Sequence, residues 1–331
     1  MKTRLKRAKV WPRALAACLF VATAGQGINA LAETYPSRTI RMIVPFNAGG
    51  GIDALARQVG AKLSETLGQP VVVENLPGAA GNRASDLVAR ATPDGYTLLV
   101  GTNSMAINPA LPGSRAPDPV RAFAPVSKLV TIPVVVAVTP SFEAQSLQEL
   151  LALARKTPRK LAFANQGIGT TSHIAAALLS QRAGVEFLHV PYSGTGSVAR
   201  DVISGEIPIL FSATGVVAPL VRGGQLRALA VTGSQRSSAL PEVPTVAEAG
   251  LPGFEVSSWY GVLAPAGTPA GIVGRLHAEL VRILALPDVS ERLSRQGMHA
   301  IGNTPAQFGA EIGADVERWA RVVREARIGV E

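Results

Sequence analysis

The sequence predicts an α/β protein of two lobes, each built on a mostly parallel sheet flanked by helices. Three observations carry this. Short apolar runs rich in β-branched residues alternate with amphipathic runs through most of the chain. Two junctions share one design of strand, glycine loop and helix: "VPFNAGGGIDALARQV" at 44–59 and "LAFANQGIGTTSHIAAALLSQ" at 161–181. These two lie in different halves of the chain, which suggests two lobes closing on one small anionic ligand.

The strand-like runs are "TIRMIVPF", "PVVVENL", "YTLLVGT", "IPVVVAVT", "KLAFANQ", "EFLHVPY", "IPILFSA" and "LRALAVTG". Their shortness and branching suit buried parallel strands. Helical spacing lies between them. Ile52, Leu55, Val59 and Leu63 recur every three or four residues, as do Leu147, Leu150, Leu151 and Ala154 behind Ser146 as N-cap. "PYSGTGSVARDV" forms a third glycine-rich helix start, with Tyr192 and Ser193 before it. The tail, "TPAGIVGRLHAELVRILALPDVSERLSRQG" and "TPAQFGAEIGADVERWARVVREARI", reads as helices. Phe308, Ile312, Val316, Trp319 and Val323 form one apolar stripe, expected to pack on a sheet.

The glycine loops indicate anion binding. Glycine lets backbone N–H groups approach a ligand, and a helix N-terminus carries about half a positive charge. Gly49, Gly51 and Ala54 also satisfy the loose dinucleotide fingerprint, with Glu74 where a ribose-binding acid would sit. No lysine follows the loop, so a P-loop is excluded, and Asp53 would crowd a pyrophosphate.

The N-terminus weighs against a nucleotide. "MKTRLKRAKVWPR" carries six Lys and Arg and no acid. "ALAACLFVATAG" is an apolar core too short for a membrane span of about 20 residues. Ala30 and Ala32 then fill small-x-small positions. This is the layout of a secretory signal peptide over residues 1–32, cleaved after Ala32, and it implies a periplasmic protein. Leu15-Ala16-Ala17-Cys18 matches a lipobox but precedes most of the apolar core, and is read as coincidence. The whole chain has 32 Lys plus Arg against 23 acids; without the six leader bases the balance is 26 against 23, or +3. Bulk charge then gives no support to nucleic-acid binding. Cys18 is the only cysteine, so the mature chain has no disulfide or thiol chemistry. Its roughly 300 residues are enough for a hydrophobic core, as two domains.

Several single residues have two readings. Asp53 is either a helix-start acid or a partner for a ligand amine, hydroxyl or water. His173, at the start of the second loop's helix, is read as packed or capping ahead of a ligand contact. His189, His277 and His299 have no second metal ligand at usable spacing, so no metal site or cofactor is expected. Trp259 and Tyr260 fall where the chain should cross back between lobes, in a hinge or packing role. No serine lies in a G-x-S-x-G context, and no enzyme signature remains once the nucleotide reading is set aside.

The ordered motifs resemble a known family. "YPSRTIRMIVPFNAGGGIDALARQ", "LGQPVVVENLPGAAGN", "ATPDGYTLLVGTNS", "GIGTTSHIAA", "HVPYSGTGSVARDVISGEI", "LRALAVTGSQRSSALPEVPTVAEAGLPGF", "WYGVLAPAGTP" and the tryptophan-bearing last helix stand as in the Bug family. These are extracytoplasmic solute receptors of tripartite tricarboxylate transporters. The likeness spans about residues 35 to 325. Two departures stand out: Asn47 and Ala48 where the family often has P-F-x-P-G-G, and "ALPGSRAPDPVRAFAPVS" in place of an "LPYDP" lead-in.

The resemblance implies a Venus-flytrap protein, with one lobe of residues 33–132 and 259–331 and the other of residues 133–258. It implies a small carboxylate held largely by backbone amides and water, without a dedicated arginine. The expected ligand-binding set is Phe46, Asn47, Ala48, Gly49, Gly50, Gly51 and Asp53 in the first lobe. In the second it is Asn165, Gly167, Gly169, Thr170, Thr171, Tyr192 and Ser193. Expected partners are the carboxylate and the membrane permease subunits, with the receptor a monomer. A ligand-dependent partner of a sensor kinase is the second reading, and a nucleotide-dependent oxidoreductase the third. Citrate-like acids, dicarboxylates, acidic amino acids and aromatic acids all remain open as ligands.

Overall fold

The computed structural model describes residues 35–165, 167–192 and 195–325. The leader, its cleavage after Ala32, the lipobox at Cys18 and the candidate Ser193 lie outside the described residues.

The first part of the chain runs β1 (Ile40–Val44), α1 (Gly51–Leu67), β2 (Val71–Asn75), a 3-10 turn (Ala79–Gly81), α2 (Asn82–Ala89) and β3 (Thr97–Thr102). Then come α3 (Ser104–Ile107), a second 3-10 turn (Asn108–Ala110), α4 (Pro119–Ala122) and the long β4 (Phe123–Val138). The middle continues with α5 (Leu147–Lys156), β5 (Ala162–Asn165), α6 (Thr171–Ala183), β6 (Leu188–Pro191) and α7 (Thr195–Ile203). It ends with β7 (Ile209–Ala213), α8 (Thr214–Arg222) and β8 (Arg227–Val231). The last part is β9 (Ser257–Pro265), α9 (Ala270–Leu284), α10 (Pro287–Arg295), β10 (His299–Ala300) and α11 (Pro305–Glu325).

All eight expected strand runs carry strands, and the expected helical faces are buried: Ile52, Leu55, Val59 and Leu63 on α1, and Leu147, Leu150, Leu151 and Ala154 on α5. Ser146 caps α5 by accepting the Glu149 N–H at 3.2 Å. The tail divides at Pro287, which takes the first position of α10, where its missing N–H costs nothing.

The strands lie in the order β2-β1-β3-β9-β4-β7-β5-β6, with β8 and β10 also on β4. The outer trios β2-β1-β3 and β6-β5-β7 are parallel, as helical crossovers require. The inner part is antiparallel, so the sheets are mixed where mostly parallel ones were expected. β4 leaves the first trio's side and β9 returns to it beside β4, so the two must run in opposite directions. Sequence hid both. "FAPVSKLVT" is interrupted by Pro125 and Lys128, and "SSWYGVLAP" by Gly261, so neither reads as an apolar run.

The pairing of β4 changes along its length. Phe123–Pro133 pairs with β9, and Val134–Val138 with β7. Two large cores follow, one around α1, β1 and α9 and the other around α5, α6 and β7. The apolar stripe of α11 reaches two clusters. Phe308 and Ile312 pack with Trp259 on β9, whereas Trp319, Val322 and Val323 join the core that contains α5 and α6. The stripe therefore spans from the first sheet's side to the second, beyond the single sheet expected for it.

Candidate functional site

The first glycine loop leaves β1 at Val44 and enters α1 at Gly51. Asn47, Ala48, Gly49 and Gly50 are exposed, and Phe46 is half-buried. The three glycines have different conformations. Gly49 has φ +88°, a left-handed geometry in which a side chain is strained, whereas Gly50 is extended at φ −78°. Gly50 is the N-cap of α1 and has no side chain, so no N-cap side chain satisfies the first-turn amides of α1.

Asp53 is 4% exposed and turned inward. Its carboxylate accepts the Gly49 N–H at 3.0 Å, Arg57 Nε at 3.1 Å and Asn75 Nδ2 at 3.0 Å. Burial works against its ionised form, but the donors from Arg57, Gly49 and Asn75 outweigh this and hold it below the usual carboxylate range. Asn75 also donates to the Phe46 carbonyl at 3.0 Å. Asp53 and Asn75 thus set the shape of the loop from behind. The Gly49 N–H is spent inside the protein.

The second loop is held in the same manner. Asn165, fully buried at the end of β5, accepts the Gly167 N–H at 2.8 Å. Its Nδ2 donates to His189 Nε2 at 3.0 Å. Thr170 is the N-cap of α6, accepting the His173 N–H at 3.4 Å and donating to the Gly167 carbonyl at 2.7 Å. His173 is buried under the loop, with Nδ1 accepting the Gly169 N–H at 3.4 Å. Thr171 Oγ1 reaches across to Ser258 Oγ, at the start of β9, at 3.4 Å. Tyr192 donates its hydroxyl to Asp201 at 2.6 Å, and that bond raises the phenol to about 12.

A third segment lies between the two loops. Gly78, Ala79, Ala80 and Gly81 all have positive φ, a costly run for the two alanines. A Cβ on Gly81 would lie 3.2 Å from Pro45 Cβ and 4.0 Å from Phe46 Cζ. Asn108 Nδ2 donates to the Ala80 carbonyl at 3.0 Å and to Asn82 Oδ1 at 2.7 Å. Asn108 Oδ1 is buried without a hydrogen-bond partner. It lies 3.1 Å from the position a Cβ would take on Gly169, whose φ is +76°. Phe46, Gly81, Ala80, Asn108 and Gly169 are therefore near neighbours in series. Asn103, buried beside them, accepts the Trp259 N–H at 2.6 Å and donates to the Ser257 carbonyl at 3.0 Å. Tyr260 brings its hydroxyl to 3.8 Å from a Cβ on Gly51.

Sequence reasoning missed Asn75, Asn103 and Asn108, the three asparagines that organise this region. Each closes or closely follows a strand or its capping turn, in "VVVEN", "VGTNS" and "AINPA". Glu74, the candidate ribose acid, faces away and forms a two-pronged pair with Arg41 at 2.7 Å. Neither glycine turn contains Lys or Arg. Among the described residues no group of three or more His, Cys, Asp or Glu could hold a metal, and no helix is long and apolar enough to cross a membrane. A surface groove of about 420 Å³ lies away from the loops, between α6 and α11, lined by Leu178, Arg182, Arg318 and Arg321 among others. It contains none of the candidate residues.

Comparison with known proteins agrees with this architecture. The tripartite tricarboxylate transporter family receptor model (TctC) matches residues 55–328. Protein BugT of Bordetella pertussis is 37% identical over 313 residues, covering 93% of this chain and 95% of that protein. Among solved structures, Rpa4515 of R. palustris with adipate superposes with a TM-score of 0.82 at 34% identity, over 89% of this chain and 99% of that one. MatC of Rhodopseudomonas palustris with bound malate gives 0.79 at 35% identity, over 87% and 100%. The chain belongs to the tripartite tricarboxylate transporter receptors, the Bug family, and is an α/β periplasmic solute-binding protein, not an enzyme.

Proposed function

We propose that this receptor captures a small carboxylate between two lobes and delivers it to the permease of a tripartite tricarboxylate-type transporter. The observation that carries the reading is that Gly81, Ala80 and Asn108 link two glycine loops, each of which opens a helix. First-turn amides and the helix dipole favour an anion there, without a lysine or arginine in either turn. The related structures hold adipate and malate, both small dicarboxylates. The proposed ligand contacts are the amides of Gly50, Gly51 and Ile52 and the loop Gly167–Thr171, with Phe46, Asn47 and Ala48 at the rim. Asp53, Asn165 and Tyr192 act as supports, since their polar atoms are engaged within the protein.

The proposed lobes are residues 33–132 with 259–331, and 133–258. The change of partner on β4 at Pro133 and Val134 supports this division. The last turns of α11 add a strap between them. Export with cleavage after Ala32 belongs to the same reading. A sensor-kinase partner has no support from the relatives.

A thermal-shift screen of dicarboxylates, hydroxy acids and acidic amino acids on the mature protein tests the proposal. A ligand at about 100 times its dissociation constant should stabilise the wild type by roughly 2.7 kcal/mol. Gly50→Val should lose that gain while keeping its unliganded melting temperature. Full ligand stabilisation in Gly50→Val would place the site elsewhere.

A further inference from the structure

His173 and His189 lie beneath the second glycine loop with their rings stacked, centroids 4.0 Å apart and 16° from coplanar. His189 also stacks on Phe163, at 5.0 Å. Hydrogen bonding sets both tautomers. Asn165 Oδ1 accepts the Gly167 N–H, so its Nδ2 must be the donor towards His189 Nε2, and the His189 proton sits on Nδ1. His173 Nδ1 accepts the Gly169 N–H, so the His173 proton sits on Nε2. The two glycine amides that shape the loop thus rest on Asn165 and on an uncharged imidazole.

A proton on His173 Nδ1 would set N–H against N–H at Gly169 and remove the loop's acceptor. A proton on His189 Nε2 would set it against the Asn165 amide and place a charge over the neighbouring ring. The first turn of α6 has no acid, β5 presents Phe163, Ala164 and Asn165, and β6 presents His189 itself. Asp201 of α7 is engaged by the Tyr192 hydroxyl. Burial, and then the neighbouring His189, push His173 down to about 3.

We propose that the stacked, uncharged His173–His189 pair positions the second glycine loop for ligand capture and releases it on acidification. The proposal rests on that loop being a ligand contact, as argued above. A neutral pair is required for the locked loop, so an opened loop takes up protons more readily than a locked one. Lock stability is therefore full above the ordinary imidazole value of about 6.5 and falls as pH drops below it.

Amide hydrogen exchange on the full mature protein, without ligand, tests this directly. Protection factors of Gly167 and Gly169 should fall relative to those of β5 by about tenfold per pH unit below ~6.5, thus about 30-fold at pH 5. His173→Asn keeps an acceptor near the Nδ1 position without a titrating ring, and should stay protected with a flat pH profile. His173→Leu should be unprotected at every pH. Equal pH dependence for the loop and β5 in wild type, or a pH-dependent loop in His173→Asn, would overturn the proposal. Malate and adipate binding at pH 7.5 and 5 forms a second arm. Affinity lost at pH 5 in wild type but kept in His173→Asn supports the coupling, and affinity unchanged in wild type overturns it. Failure of every carboxylate at both pH values would count against the proposed ligand class and the capture role, while the amide measurement would still judge the lock.

Discussion

Asp53 Oδ2 accepts the backbone N–H of Gly49 at 3.0 Å, so the glycine loop is closed on the protein's own carboxylate. At 4% exposure Asp53 is not a solvated helix-start charge. It is a buried anchor with Arg57 and Asn75 as its other donors.

Asp53→Ala should therefore cost about 1.5–3 kcal/mol, the range for hydrogen bonds to a charged group. Urea unfolding at pH 7 measures it. Asp53 is held below its ordinary value, so its contribution is present above about 3.9 and is lost as pH falls through the lowered folded value. The gap between wild type and variant should accordingly narrow in strong acid. Equal stability of the two proteins at pH 7 would mean that the anchor contributes nothing.

Gly49 and Gly50 should respond differently to the same substitution. Gly49→Ala forces a Cβ into φ +88° and should cost roughly 1–2 kcal/mol. Gly50→Ala has an ordinary φ of −78°, with its nearest foreign atom 3.8 Å away, and should stay within about 0.5 kcal/mol. Parallel denaturation curves compare them. A larger loss at Gly50 would show that the loop conformation described for these two residues is wrong.

At Gly169 the constraint is close approach as well as conformation. A Cβ there would lie 2.8 Å from Leu111 Cδ1 and 3.1 Å from Asn108 Oδ1. Gly169→Ala should weaken carboxylate binding at least tenfold by isothermal calorimetry. Adding Leu111→Ala should restore part of it, because the space returns while the left-handed strain remains. No rescue by the second change would assign the whole effect to backbone strain.

Asp315 accepts Trp259 Nε1 at 2.9 Å and ties α11 to the start of β9. Burial raises its carboxyl above the ordinary range, against the Trp259 hydrogen bond and the charges of Arg318 and Lys128. A carboxyl raised on folding is most favourable when protonated, and its stabilising effect falls as pH rises through the folded value. Asp315→Asn keeps an acceptor for Trp259 without the buried charge. Scanning calorimetry should find it more thermostable than wild type at pH 7, with the advantage gone near pH 3. A variant less stable at pH 7 would show that the charge itself holds the helix.

Much of this protein was legible one-dimensionally because its signals are local. β-branched runs such as Val71–Asn75, the spacing of Ile52, Leu55, Val59 and Leu63, and the cap at Ser146 depend only on neighbours within a turn or two. The loops at Gly49–Gly51 and Gly167–Thr171 were legible for the same reason, since glycine between strand and helix has a local cause. The motifs together were also enough to mark the family.

Tertiary structure decided what those loops are made to do. No spacing rule brings Asn75 to Asp53, Asn103 to Trp259, or Asn108 to both Ala80 and Gly169. These asparagines act across 22 to 156 positions, through amides whose partners are chosen by sheet order. The antiparallel return of β9 along β4 was equally hidden. Its register comes from two chain crossings, and its residues, partly polar and bulged, have no strand pattern of their own. Side-chain chemistry near the backbone is written in the sequence. Which distant backbone group that chemistry must satisfy is settled only when the sheets are assembled and burial removes water as the alternative partner.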